Sequence, residues 1–449
     1  MINRNYARLW YGQATSLLGD FVFDTTLVLW VGTVLARGQS WAPVAVSGVL
    51  VAVAVGTLVA PVAGVLVDRW NRRRTMLRAD AFRAVLVGVL AVLSFLPTDR
   101  LPVAGWLVLV YLVVVLINGA QQFFGPARVA LISDVVSGDK DRARASGIGQ
   151  TTLAVMSIVG PPLAAPLLFT AGVSWALLLN AASFVVSYLA IRSVRVTDAP
   201  VNPERPAPEP AGPTGPAGGR RMRDDFVDGL RFVGSSRVLV TLLVVIVVGG
   251  LGTGAMNALD VFFVSDNLHV APHWYGTLGM ALGIGSVIGA VLGSGVTNRF
   301  GAARTVYVGL LATGLLIMVY ARLGNLGSAI VLQVVLGVPL AALHVALVPL
   351  VLRATPQEYL GRVASLVSLF QQIASTVSVV VAGWLASTVL LGLHASVAGI
   401  RFGRIDTIFL VSGLLIVVCG GYAAVGLRGS DSPAPASPAG PEPAAQPTG

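Results

Sequence analysis

Charge is scarce in this 449-residue chain: only 11% of its residues are Asp, Glu, Lys or Arg, against about 25% in an ordinary soluble protein. Too few ionised groups are present to coat a water-facing surface, which excludes a secreted or cytosolic enzyme. Cysteine is nearly absent. The single Cys419 rules out an intrachain disulfide and any cysteine-based zinc site. Also missing are a phosphate-binding glycine loop, a G-x-S-x-G elbow, an H-E-x-x-H pair and paired carboxylates in a water-side setting. An ATP-driven pump would need a nucleotide domain, which the sequence lacks. Neither enzymatic activity, nor a cofactor, nor a metal is expected.

Apolar residues dominate instead, at 55% with a mean hydropathy of +0.81. Runs of about 20 of them read as bilayer spans. They fall at 14–36, 43–67, 78–96, 103–124, 146–168, 173–192, 238–263, 275–297, 303–321, 326–352, 361–391 and 405–427. Backbone amides in hydrocarbon must be satisfied within the segment, so these twelve segments are predicted to be helices. A β-barrel is excluded because no polar/apolar alternation of about ten residues recurs. The first run is too long for the apolar region of a signal peptide and carries Asp20 and Asp24, so it is read as a retained helix.

The formal net charge is +10. Basic loops facing an anionic inner leaflet explain that excess without nucleic acid. With the N-terminus placed in the cytoplasm, 24 Lys and Arg fall on that side and five on the other, with Arg83 inside the third segment. The positive-inside rule therefore puts both termini in the cytoplasm of a multi-pass protein of the cell (plasma or inner) membrane. Residues 200–219 are rich in Pro, Ala, Gly and Glu and read as a disordered linker. The predicted organisation is a six-helix bundle at 1–195, a linker at 196–221, an amphipathic helix plus a second six-helix bundle at 222–428, and a disordered tail at 429–449. In the amphipathic stretch Phe226, Leu230 and Val233 share one helical face, the pattern of an interfacial helix or of a solvated extension of the seventh segment.

The halves echo one another. A glycine-bearing helix end and a short basic turn occur at Gly64, Asp68, Arg69, Arg72, Arg73 and Arg74, and again at Gly289, Gly293, Asn298, Arg299, Gly301 and Arg304. Such weak repetition marks secondary transporters built from two bundles. Gly64-x-x-x-Asp68-Arg69-x-x-Arg72-Arg73-Arg74 between the second and third segments resembles the loop signature of the major facilitator superfamily. The opening Asn3-Arg4-Asn5-Tyr6-Ala7-Arg8-Leu9-Trp10, the stretch Phe124-Gly125-Pro126-Ala127-Arg128 and Asp228-Gly229-Leu230-Arg231-Phe232 are similar to its drug and macrolide efflux and enterobactin exporter branch. The resemblance implies the twelve-helix fold of that superfamily in two bundles, and efflux by alternating access. Physically, Gly64 lets the second and eleventh segments approach. Asp68 can face the positive N-terminal end of the eleventh near Gly361, and the arginines can meet headgroups, Asp134 and Asp139. That is a conformational latch, or simply a topological anchor. Gly160-Pro161-Pro162 resembles the kinked motif of the superfamily's antiporters, where proline frees carbonyls and lets a helix shape or seal a cavity. The fourth segment departs from the proton antiporters in lacking a membrane arginine, and Arg83 is the candidate to serve instead.

A charge at a helix centre costs about 2.5 to 3.5 kcal/mol on insertion scales, so each should face the protein interior. At 100° per residue Gln13, Ser16, Asp20 and Asp24 form one polar stripe on the first segment. Asp24, and secondarily Asp20, is read as a proton site or as the counter-charge of a cationic substrate; the plainer reading pairs either with Arg83. Further cavity candidates are Asn118, Gln122, Asn257, Asp260, Gln333, His344 and Gln372, although small polar residues also join helices by hydrogen bonds. The function expected from all this is proton-coupled efflux of lipophilic or cationic small molecules by a monomer. Its partners are then the substrate, protons and membrane lipids, with no nucleic acid. A dedicated siderophore or secondary-metabolite exporter fits the same scaffold. A non-transporting membrane sensor would need a signalling domain, and none is visible.

Overall fold

The computed structural model describes residues 2–97, 100–194, 218–393, 395–397 and 400–428. The predicted tail and residues 196–217 of the predicted linker lie outside them, while the last four residues assigned to the linker, 218–221, are helical and open α8. Helices account for nearly all of the described chain: α1 (Arg4–Trp30), α2 (Ala42–Thr57), α3 (Ala60–Arg69), α4 (Arg72–Leu93), α5 (Val103–Val135), α6 (Asp139–Pro166), α7 (Val173–Ser193), α8 (Gly218–Ser235), α9 (Arg237–Asp266), α10 (Tyr275–Phe300), α11 (Ala302–Tyr320), α12 (Leu326–Ala354), α13 (Leu360–Ser387) and α14 (Arg404–Gly426). Among the described residues eleven spans are long and apolar enough to cross a membrane, with α2 and α3 counted as one, Ala42–Arg69. The predicted third segment corresponds to α4, which falls outside that set because Arg78, Asp80 and Arg83 interrupt its apolar run.

Several helices outrun their apolar segments. The first starts at Arg4, where Asn3 caps it by accepting from the Tyr6 amide at 2.7 Å. In the other direction, α13 stops at Ser387, short of the expected 391, and a small antiparallel hairpin, Ala395–Val397 with Ile400–Phe402, precedes α14. Hydropathy could not see that end, since Val389, Leu390 and Leu391 stay apolar after the backbone has turned. Ser236 separates α8 from α9 by accepting from the Leu239 amide. The α8 helix is thus not a plain extension of α9. Its Val233 is buried, and its Phe232 stacks on Tyr359 with centroids 4.5 Å apart.

Two bundles result. In the first, α1 packs on α6 and α7, α4 on α5 and α7, and α2 on α5; in the second, α9 packs on α13 and α14, α11 on α12 and α14, and α10 on α12. Glycines spaced by four let α10 lie against the backbone of α12. Gly285 meets Val334, Gly289 meets Val338 and Gly293 meets Ala342, with no room for a side chain at any of the three. Both described termini lie at the same end of the helices, with Arg69, Arg72, Val135, Asp139, Ser193 and Phe300. We refer to it as the terminal end.

Candidate functional site

The bundles touch along two seams, α2 against α13 and α6 against α10. Both lie at the end away from the termini. Ser47 on α2 donates to the Val379 carbonyl on α13 at 2.8 Å, and the Val44 amide donates to the Ser387 hydroxyl at 3.3 Å. Gly383 fits against Ser47 and the Pro43 carbonyl. On the other seam Gly276 lies on the Pro161 carbonyl and Gly283 on Ile158, so Gly160-Pro161-Pro162 forms the contact between the halves. Toward the terminal end the same helices part. Gly64 on α3, Gly147 and Gly149 on α6, Gly295 on α10 and Gly361 on α13 all have open space where a side chain would begin. The expected approach of Gly64 to the eleventh segment is therefore not made in this conformation among the described residues.

Within the first bundle the α1 helix turns one face to α7, where Gly12 meets Ala190 and Ser187 and Gly19 meets Ser183 and Asn180. Gln13, Asp20 and Asp24 project about 100 to 140° away from that line. Asp20 is half-buried and Asp24 exposed. Counted back from Leu35, the end of this span, Asp24 is eleven residues or about 16 Å deep. Asp20 lies 4.0 Å from the Arg83 guanidinium. Asp24 has no hydrogen bond or ion pair among the described residues; Asp20 precedes it by one turn on the same helix. Arg83 itself is not open to the gap. Only 2% exposed, it is sandwiched between the rings of Phe124 and Phe184 at 4.7 and 4.4 Å, and donates to Asp80 and to Gln121. Asp80 and Gln121 were not among the residues read as functional. The signal for Asp80 was present, since it precedes Arg83 by three positions on one helix.

The other sequence candidates scatter. Asn118 and Gln122 donate to carbonyls of their own helix, at Val114 and Asn118. Gln13 is half-buried with its amide nitrogen unpaired. In the second bundle Asn257 is exposed, while Asp260 accepts from the Tyr320 hydroxyl at 2.9 Å. Gln333 is buried beside Tyr320, whose ring packs tilted against Phe263 and stacks on Phe409. His344, eleven residues further on, is exposed and bonded to the Leu340 carbonyl at 2.7 Å, so the two do not meet. It lines a cavity of about 440 Å³ between α9, α12 and α13, with Gly249, Thr253, Leu347, Ser368 and Gln371. Gln372 is not part of that lining and donates to the Thr376 hydroxyl at 3.4 Å. No group of three or more His, Cys, Asp or Glu able to hold a metal occurs among the described residues.

In the basic turn, Arg72 pairs with Asp134 at 2.6 Å, and Arg73 donates to the Ile191 and Arg192 carbonyls at the end of α7. Asp139 pairs with Arg142 instead. Asp68, Arg69 and Arg74 are exposed, with no side-chain partner among the described residues. At the far end, Arg322 pairs with Asp406 at 3.0 Å and Arg404 with Asp266 at 2.7 Å around a cavity of about 910 Å³.

Two bundles of membrane-type helices, joined along two seams at one end, have the architecture of a membrane transporter. The sequence pattern of the Major Facilitator Superfamily matches residues 9–263 and 241–448, and the chain belongs to that superfamily. It is 28% identical over 347 residues to the multidrug efflux pump Tap of Mycolicibacterium fortuitum, covering 75% of this chain and 78% of that one. It is 23% identical over 425 residues to the uncharacterized MFS-type transporter YkuC of Bacillus subtilis, covering 93% and 90%. Among solved structures, a bacterial homolog of the human lysosomal transporter Spinster, inward-facing and unoccupied, superposes with a TM-score of 0.71 at 14% identity, over 96% of this chain and 100% of that one.

Proposed function

We propose that the chain is a proton-coupled exporter of lipophilic, cationic small molecules, with twelve membrane helices and both termini in the cytoplasm. The observation that carries the reading is an unpaired carboxyl group, Asp24, deep on the polar stripe of α1, in a molecule whose second bundle holds an apolar cavity of about 440 Å³. A cation that is mostly apolar needs both: surface to bury and one negative charge to meet. The efflux relative Tap supports the direction of transport.

The helix α4 completes the count of twelve. Its charged Asp80 and Arg83 are buried against neighbouring helices, and its outer face, Phe82, Val85, Val89 and Val92, is exposed and apolar. The basic residues of the terminal end put that end in the cytoplasm under the positive-inside rule. The conformation is then inward-open, and alternating access consists of closing the terminal end while the seams at Ser47 and Gly276 separate. Asp68, with Gly64 and the arginines at 69 and 72–74, acts as the latch of the closed cytoplasmic side, meeting the N-terminal end of α13. In the coupling step Asp24 gives up its proton as the cationic substrate arrives and takes one from the outer side after release, with Asp20 and its Arg83 contact beside it. Transport in everted vesicles over a panel of lipophilic cations, with and without an uncoupler, tests the reading. Uptake that is insensitive to the uncoupler would refute coupling, and no uptake of any cation would refute the substrate class.

A further inference from the structure

The α2 and α3 helices form one span with a break in it. Pro61 has no N–H to offer the Thr57 carbonyl, and the backbone turns at Leu58 and Val59 before α3 begins. Below the break α3 leans on α5 and barely touches α4. The gap left between them is a groove of about 530 Å³, within the range of about 300–1,000 Å³ of pockets that hold a small ligand. Gly119 and Ala120 of α5 and Ala79 of α4 make its floor, and Trp70, stacked on Phe123 at 5.9 Å, makes one wall. The groove is rimmed by exposed apolar side chains of α4, Phe82 and Val85, and α4 packs on α5 and α7 and takes part in neither seam, so this side opens toward the acyl region.

Arg78 also lines the groove, one turn along α4 from Phe82. The arginines here divide into two sets. Arg72 is committed to Asp134, and Arg73 to the end of α7. Arg69, Arg74 and Arg78 are exposed and without a side-chain partner among the described residues. A free guanidinium group, Arg78, in the lining of an apolar groove, with the free Arg69 and Arg74 in the same basic turn, calls for one occupant: a molecule with a negative head and a hydrocarbon tail. We propose that this groove binds an anionic phospholipid, with its phosphate on Arg78 and one acyl chain along Phe82, Leu116 and Gly119.

The test uses the purified full-length protein in detergent micelles, titrated with phosphatidylglycerol or phosphatidylcholine carrying brominated acyl chains. The readout is the fluorescence quenching that is lost in Trp70→Phe, the part that reports on the groove. In the wild type the phosphatidylglycerol is expected to quench at a concentration at least five-fold lower than the phosphatidylcholine. Arg78→Gln is expected to weaken that quenching about five-fold, the effect of one basic group near an anionic headgroup. Arg299→Gln, an exposed basic residue of the other bundle, should leave it unchanged, and inorganic phosphate in millimolar excess should not relieve it. Equal quenching by the two lipids in the wild type overturns the proposal without reference to any variant. So does an unaltered Arg78→Gln, an equal loss in Arg299→Gln, or relief by phosphate, which would make the ligand a free anion.

Discussion

The Ser47 hydroxyl and the Val379 carbonyl, 332 positions apart in the chain, are hydrogen-bonded at 2.8 Å across the seam between the two bundles. One turn further out the Val44 amide meets Ser387. The far end is thus held shut by backbone-level contacts and small side chains, while no hydrogen bond joins α3 to α13 among the described residues. A transporter that works by alternating access must break this seam once in every cycle.

A disulfide across it should therefore stop transport. The double variant Val44→Cys/Ser387→Cys is expected to lose activity under oxidation and regain it on reduction, with each single variant active throughout. Cys419 is buried in α14 and remote from the seam, so the native thiol does not interfere. Transport that continues with the cross-link demonstrably formed would mean that the seam stays closed through the cycle.

Side chains added to glycine should separate folding from conformational bias. Gly289→Leu drives a side chain into the Val338 backbone inside one bundle, and overpacking of that kind costs about 1–3 kcal/mol or more. A lowered thermal midpoint in detergent is expected. Gly276→Val presses instead on the Pro161 carbonyl at the interface of the bundles, which can open. Its midpoint should change little, while distances between spin labels placed across the two ends shift toward the outward-open arrangement. The same distance distribution as in the wild type would remove Gly276 from the seam argument.

Arg83 should matter to stability more than to the substrate. Arg83→Met leaves Asp80 buried without its cation, a change that typically costs about 3–5 kcal/mol. Adding Asp80→Leu should recover most of the loss. Thermal unfolding of the three proteins checks this, and a single variant as stable as the wild type would show that the pair does not hold α4 in place.

Asp68→Asn tests the latch. Because Asp68 is exposed and unpaired in the open state, the variant should insert and fold normally yet transport far more slowly. Near-normal transport at equal abundance in the membrane would leave the basic turn as a topological anchor.

How much of this was legible in the sequence differs by scale. The spans were readable because desolvation of the backbone demands long apolar helices, and hydropathy records that demand directly. Helix ends were not: α1 extends ten residues before the apolar run, since polar residues at a membrane surface keep helical hydrogen bonds without being apolar. Periodicity puts Gln333 and His344 on one face, but eleven residues of helix are about 16 Å long, and the two belong to different surroundings, Gln333 buried and His344 exposed. The seam residues Ser47, Gly276 and Gly383 carry no local signature, because what makes them matter is how the bundles dock. Gly64 shows a further limit. A sequence serving two conformations encodes contacts of both, and one structure displays those of one.

The central claim is that Asp24 couples proton movement to export. Its most direct test is uphill transport of a lipophilic cation into everted vesicles containing Asp24→Asn, compared with wild type and Asp20→Asn at matched abundance, with and without an uncoupler. Removing this unpartnered carboxyl group deep on α1 should abolish the uncoupler-sensitive component in Asp24→Asn and reduce it only partly in Asp20→Asn, with folding preserved in both. If Asp24→Asn still accumulates the cation in a way that an uncoupler collapses, Asp24 is not the coupling site, and the account of how this transporter is driven is wrong.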